Sequence, residues 1–387
     1  MKLASSLERL GTETAFDVLM RARELEAQGR SVIHLELGEP DFDTPKNIRD
    51  AAKNALDEGY THYGPAAGLP LLRAAIAETV TRTRQVDVKP ENVVVTPGAK
   101  PIIFFSLLTC VEPGDEVIYP NPGFPIYESV INWIGARAVP LPIREDNGFS
   151  VDVDELAGLV TTRTRFMILN SPGNPAGGVI SRGDMARIAE IVAHNEITVL
   201  ADEMYSRITY DHEHVSLLSF PEMQERVILL DGFSKTYAMT GWRAGYGVMT
   251  EELAFWIARL QTNSNSCTNT FVQMACVEAL KGPQEGPAAM AREFQARRDV
   301  IVAGLNAIKG ITCLLPEGAF YVFPNVKGLP RSSKALEEYF LDEHGVATLS
   351  GTSFGALGEG YLRLSYANSI ENIREALDRM AEGVRRL

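Results

Sequence analysis

Cysteine is scarce and scattered: Cys110, Cys267, Cys276 and Cys313 are the only four in 387 residues, and no two form a CxxC pair. This spacing excludes a disulfide or zinc framework, so no metal site is expected and the thiols read as reduced, mostly core residues. No segment approaches the ~20 apolar residues of a membrane span. Residues 1–30 carry charges throughout and lack the apolar core of a signal peptide. The expectation is a cytoplasmic protein with no membrane partner. Basic side chains are outnumbered, 37 Lys and Arg against 50 Asp and Glu, for a formal net charge of −13. A field of that sign argues against nucleic acid or an anionic membrane surface as partner. No GxGxxG follows an apolar strand, which excludes a dinucleotide enzyme. Repeats, low-complexity tracts and linker-like stretches are also lacking.

What is present is a long, ordinary globular composition, 45% hydrophobic and 22% charged. The length suits two domains, since single cores seldom grow beyond roughly 250–300 residues. Short β-rich runs occur at Val93–Thr96, Glu116–Tyr119, Phe166–Asn170, Thr198–Asp202, Val227–Asp231 and Ala244–Val248. Amphipathic stretches such as Ser181–Asn195 and Glu251–Gln261 lie between several of them. That alternation predicts an α/β fold with a mainly parallel sheet sandwiched by helices. Asn174, Asp202 and Lys235 all follow the carboxyl ends of strands, where open α/β sheets bind ligands.

Lys235 sits in the run Asp231-Gly232-Phe233-Ser234-Lys235-Thr236-Tyr237-Ala238-Met239-Thr240-Gly241-Trp242-Arg243. Most lysines are solvated surface residues. This one ends an apolar strand, follows Ser234 and precedes Arg243 by eight residues, which points to an anion-binding catalytic pocket. A fixed cation such as Arg243 and partial shielding from water lower an amine's pKa, and only the neutral amine attacks a carbonyl to form a Schiff base.

Six further motifs accompany that run: Leu37-Gly38-Glu39-Pro40-Asp41-Phe42, Tyr63-Gly64-Pro65-Ala66-Ala67-Gly68, Thr96-Pro97-Gly98-Ala99-Lys100, Asn170-Ser171-Pro172-Gly173-Asn174-Pro175, Asp202-Glu203-Met204-Tyr205 and Leu362-Arg363-Leu364-Ser365. In this order, and along nearly the whole chain, the sequence resembles the pyridoxal-phosphate-dependent class I aminotransferases of fold type I. It is most similar to the bacterial and archaeal group of aspartate and aromatic aminotransferases. The resemblance implies pyridoxal 5′-phosphate as cofactor and a homodimer with composite active sites. It also implies a large cofactor-binding domain over residues 46–284, with residues 1–45 and 285–387 joining as a smaller α+β domain.

Such a cofactor requires a phosphate cradle, an acid opposite the pyridine nitrogen, hydrogen bonds to the ring oxygen and a mobile amine. Gly98 and Ala99 follow a strand and open a helix, so small residues let backbone amides meet an anion at its positive end. The resemblance adds Ser234 and Arg243 to that cradle, and Tyr63 from the neighbouring subunit. Asp202 ends an apolar strand and would be costly to bury unless paired with a pyridinium. Tyr205 and Asn174 match the donors to the ring oxygen, and Phe124 occupies the position of the ring-stacking aromatic, often tryptophan in relatives. Ala176 stands where relatives usually carry threonine.

On the substrate side, Arg363 on an alternating strand offers a bidentate grip on the α-carboxylate, with Gly38 as a backbone helper. Lys100 matches a lysine that reaches a distal carboxylate. Preceding Pro101, it is biased away from helical geometry and toward the pocket.

The reading is therefore an aminotransferase exchanging amino groups between an amino acid and a 2-oxo acid by a ping-pong mechanism, of the aspartate/glutamate type. Lys235, Asp202 and Tyr205 are its catalytic residues. An aromatic or broad-range aminotransferase, or a lyase on the same scaffold, shares the first chemical steps. A ligand-sensing regulator is disfavoured, because only about 40 residues precede the first motif, fewer than a winged helix-turn-helix needs.

Overall fold

Strands that are apolar on both sides of the pleat are stable only when both faces of their sheet are covered. In the computed structural model, which describes residues 2–387, such strands build one seven-stranded sheet. After a two-residue β1 (Ile33–His34) come its members β2 (Val93–Thr96), β3 (Glu116–Asn121), β4 (Arg137–Pro142), β5 (Thr164–Asn170), β6 (Thr198–Asp202), β7 (Val227–Gly232) and β8 (Gly245–Val248). Their spatial order is β2-β8-β7-β6-β5-β3-β4, and β8 runs antiparallel to both its neighbours. The other pairings, β3 with β4 and β5, β5 with β6 and β6 with β7, are parallel. Successive residues feed different cores, as the two-residue period requires. Val94, Val117, Ile168, Leu200 and Leu230 join one cluster; Val95, Ile118, Leu169, Val199 and Leu229 join the other.

One strand escaped the sequence pattern. Pro140 and Pro142 interrupt β4, and its place at the sheet edge explains why they are tolerated: with a neighbour on one side only, a missing N–H need not break the ladder. Lys100 also departs from expectation. It is the first residue of the helix Lys100–Cys110, so the following proline does not hold it outside helical geometry. Pro101 then occupies the first turn, where its missing N–H has no intrahelical partner to lose.

Beyond the helix Glu285–Asn306 lie β9 (Tyr321–Val322), β10 (Val346–Ala347), β11 (Leu349–Ser350) and β12 (Leu362–Ser365). β12 stands between β11 and β9 in an antiparallel sheet, and β1 pairs in parallel with β10, Ile33 opposite Val346. The two ends of the chain thereby meet. The N-terminal segment is shared between neighbours, however. Arg9 donates to the carbonyls of Asn132 and Trp133 at 2.9 and 3.1 Å, laying residues 5–9 on the helix Ile126–Ile134. The helix Ala15–Ala27 instead packs Val18, Ala22 and Leu25 into a cluster with Leu341 and Ala347.

Behind the carboxyl ends of β6 and β7, Arg84 joins two buried acids. Its Nε donates to Glu203 at 2.8 Å, and its Nη2 lies 3.8 Å from Asp231. Burial pushes both carboxyls up. For Glu203 the Arg84 charge, together with His214 and the Ser216 hydroxyl, overcomes burial and holds it at about 2, whereas Asp231 remains at about 6. Glu203 directly follows Asp202, and Asp231 precedes Lys235 by four residues. The guanidinium therefore ties together the strand ends that carry both. Arg84→Met should cost about 3–5 kcal/mol of stability in denaturant unfolding, the scale for leaving buried charge unpaired. Adding Glu203→Gln should recover part of it. A single variant within 1 kcal/mol of wild type would show that the two acids do not need the guanidinium.

Candidate active site

The carboxyl ends of β5, β6 and β7 open into a cavity of about 530 Å³ that also reaches the chain's opposite end. Its walls carry Gly38, Ala99, Lys100, Phe124, Asn174, Asp202, Tyr205, Ser234, Lys235, Arg243 and Arg363. Segments more than 300 residues apart in the chain thus converge on one space, from Gly38 to Arg363.

Asp202 ends β6 with its side chain buried. Its Oδ2 accepts from the Tyr127 hydroxyl at 2.6 Å and its Oδ1 from the Met204 N–H at 3.1 Å. Burial outweighs these bonds and raises the carboxyl to about 6. A cation brought against it would restore its charge, which is the property a protonated heterocycle exploits. Asn170, the last residue of β5, braces the neighbourhood: its Nδ2 donates to the Asp202 carbonyl at 3.1 Å, and its Oδ1 accepts from the Asn174 N–H at 2.8 Å.

Lys235 lies in the turn after β7, and its Nζ donates to the Gly38 carbonyl. Burial first, and then the charge of Arg363, lower its pKa to about 8. The sequence pattern had assigned that electrostatic role to Arg243. The guanidinium of Arg243 instead turns to the mouth of the cavity, where its Nη1 donates to the Thr240 carbonyl at 2.7 Å. There it lies over Gly98, whose φ of +83° suits glycine and at which any Cβ would overlap the guanidinium. Ala99, Ser234 and Arg243 so frame one end of the cavity at the start of the helix Lys100–Cys110, with Gly98 packed against the guanidinium. Open amides and a fixed cation there suit a bound anion.

Arg363 is buried in the middle of β12 rather than solvated. Its Nη2 donates to the Glu36 carbonyl and its Nη1 to Asn174 Oδ1 at 3.2 Å, while Nε is buried without a partner. Its guanidinium lies 4.5 and 4.7 Å from the ring centroids of Tyr321 and Phe354. A planar cation held between rings with an unused donor is prepared for a carboxylate. Gly38 is required beside it, because a Cβ there would overlap the Tyr321 hydroxyl.

Tyr205 is buried, and its hydroxyl pairs with that of Tyr321 at 2.7 Å. Phe124 stands edge-on to Tyr127, with ring centroids 5.6 Å apart. Two residues singled out in the sequence lie elsewhere. Tyr63 is 91% exposed and does not line the cavity of its own chain. Ala176 packs into an aromatic cluster with Phe149, Phe323 and Tyr361.

Among the cavity residues not singled out from the sequence, four have polar groups that bear on the site: Glu13, Tyr127, Asn170 and Tyr321. Tyr127 follows Phe124 by three residues, with Phe124 just ahead of the helix Ile126–Ile134 and Tyr127 in its first turn; that closeness in sequence was a usable signal. Tyr321 lies in the two-residue β9, where an aromatic among apolar neighbours reads as core. Glu13 carried none, being one charge in a polar N-terminal segment.

The family model for aminotransferase class I and II matches residues 30–380. An aspartate aminotransferase of Pyrococcus abyssi is 39% identical over 366 residues, covering 94% of each chain. An aromatic-amino-acid aminotransferase of Thermococcus litoralis is 39% identical, covering 92% of each. Among solved structures, the aspartate aminotransferase of Thermus thermophilus with maleate superposes with a TM-score of 0.94 at 35% identity, over 99% of this chain and 100% of that one. With the family matched from β1 to the C-terminal helix and the fold shared end to end, this chain belongs to the class I and II aminotransferases.

Proposed function

We propose that the cavity holds pyridoxal 5′-phosphate and that the enzyme exchanges amino groups between dicarboxylic or aromatic amino acids and their 2-oxo acids. The observation that carries this reading is the convergence in one cavity of a buried Asp202 lacking a close cation and a half-buried Lys235 whose pKa is lowered to about 8. The residues present fit the group: Asp202 for the pyridine nitrogen, and the backbone of Gly98 and Ala99 with Lys100, Ser234 and Arg243 at the phosphate end. Phe124 fits the ring face, and Asn174 and Tyr205 the ring oxygen. When bound, the cofactor supplies an electron sink for the pair left when an α-proton departs.

The protein's own residues do the rest. Arg363, helped by the backbone at Gly38, grips the α-carboxylate and orients the α-carbon. Lys235, neutral at slightly alkaline pH, takes that proton and returns it on the other side of the exchange. Asp202 keeps its charge through contact with the ring nitrogen. Lys100 faces the side-chain end of the substrate. Residues 46–284 make the cofactor-holding unit, and residues 1–45 with 285–387 the smaller unit that brings Arg363 and Gly38. Among the described residues no helix is long and apolar enough to cross a membrane, in keeping with a cytoplasmic enzyme.

Tyr63 completes the phosphate end from a second copy of the chain. Its 91% exposure, together with the exposed Leu71, Phe255 and Trp256, favours a homodimer. Dimers mixed from Tyr63→Ala and Lys235→Ala chains should then regain about a quarter of wild-type activity, since half are heterodimers with one intact site each. No recovery after verified subunit exchange would refute the composite site.

The aminotransferase reading is tested by offering amino donors with 2-oxoglutarate or pyruvate. Turnover should depend on the 2-oxo acid and release no ammonia, the result that separates transfer from elimination. Lys235→Ala should abolish it, and full activity in that variant would remove the lysine from the mechanism.

Lys235 can also be checked without cofactor. Because only the neutral amine reacts, its labelling by an amine-acylating reagent in the apoprotein should rise with pH to a midpoint near 8, with ordinary lysines rising near pH 10.4. A midpoint shared with the surface lysines would contradict the assigned environment.

A further inference from the structure

Glu13 lines the same cavity as Lys100, Lys235 and Arg363, and its carboxylate forms an ion pair with Lys100 Nζ. The glutamate side chain is only 18% exposed and the lysine 44%. Lys100 Nζ also lies 5.5 Å from the centroid of the Phe124 ring. The charge of Glu13 is felt at Lys235, Arg363 and Tyr321, so it reaches the space between the two substrate-facing cations. Its backbone is anchored on both sides. The Gly11 carbonyl accepts from Ser129 Oγ at 3.1 Å, and Thr14 Oγ1 donates to Ser353 Oγ at 2.7 Å. Glu13 lies between the short helix Ser5–Arg9 and the helix Ala15–Ala27, in a segment that is itself neither.

We infer that Glu13 is a specificity-determining residue: an internal carboxylate that occupies Lys100 and must be displaced by the distal carboxylate of a dianionic substrate. The inference rests on the aminotransferase reading with Lys100 at the side-chain end. A substrate with an apolar or aromatic side chain meets a neutral ion pair beside Phe124 and Phe16, and breaks nothing on entering. A dicarboxylate must separate the pair, and then stands near a carboxylate of its own sign. Glu13 thus acts against one substrate class while leaving the α-carboxylate grip of Arg363 to both, so that selectivity arises from repulsion as much as attraction. It lets one pocket serve both classes by weakening the side chain that would otherwise bind far more tightly.

The test uses holoenzyme, with kcat/KM for aspartate and for phenylalanine and the Kd of succinate, an unreactive dicarboxylate, by calorimetry. Glu13→Gln should raise the aspartate-to-phenylalanine selectivity ratio and tighten succinate binding by about three- to tenfold, the scale of a partly exposed charge pair with added repulsion. Lys100→Met should move both readouts the opposite way. A Glu13→Gln ratio equal to wild type, or one shifted toward phenylalanine, overturns the inference, as does a Lys100→Met variant that leaves succinate binding unaltered. Failure of the wild-type enzyme to transfer amino groups from any donor would sink the underlying reading instead, and the two failures are distinguishable because succinate binding needs no turnover.

Discussion

A carboxylate buried at the end of an apolar strand is the constraint around which this molecule is arranged. Asp202 emerges from Val199, Leu200 and Ala201, all buried, and two hydrogen bonds do not offset the loss of water. Such a group is costly unless a cation arrives. The fold therefore keeps a site whose electrostatics are incomplete in the protein alone. Tyr127 and Met204 fix the carboxylate, and Asn170 the backbone carbonyl of the same residue, without neutralising the charge. Their bonds explain how an incomplete site can still be well ordered.

The remaining charges are distributed by the same logic. Arg84 pairs with the acids behind the strand ends, Glu203 and Asp231, while Asp202 alone of the three lines the cavity. Arg363 is buried with one donor unused, and its positive charge is part of why the Lys235 amine is held near 8. One guanidinium therefore does two jobs, preparing a carboxylate site and lowering the lysine's pKa. At the outer end, Glu13 and Lys100 cancel each other, and that cancellation bears on which side chains enter rather than on how the α-carbon reacts.

Much of this was legible in the chain, for local reasons. Strands β2, β3 and β5–β8 are short apolar runs bounded by turn residues, and the catalytic candidates sit at their ends, so pattern and position agreed. β4 was not legible because its prolines hide it, and only its edge position makes them acceptable. The charge acting on Lys235 was assigned to Arg243 because proximity in sequence stood in for proximity in space. The lysine's charged neighbour comes instead from Arg363, 128 residues away.

The sequence alone determined which residue types stand at the strand ends and how the alternating apolar positions cover both faces of a parallel sheet, because periodicity and turn chemistry act over a few residues. Only the tertiary structure decided which charges meet. The partners of Asp202, Lys235, Lys100 and Arg363 are Tyr127, Gly38, Glu13 and Asn174, each 75 or more residues distant. Coulomb and desolvation energies depend on distance through space and on burial, and neither is a property of a local stretch of chain.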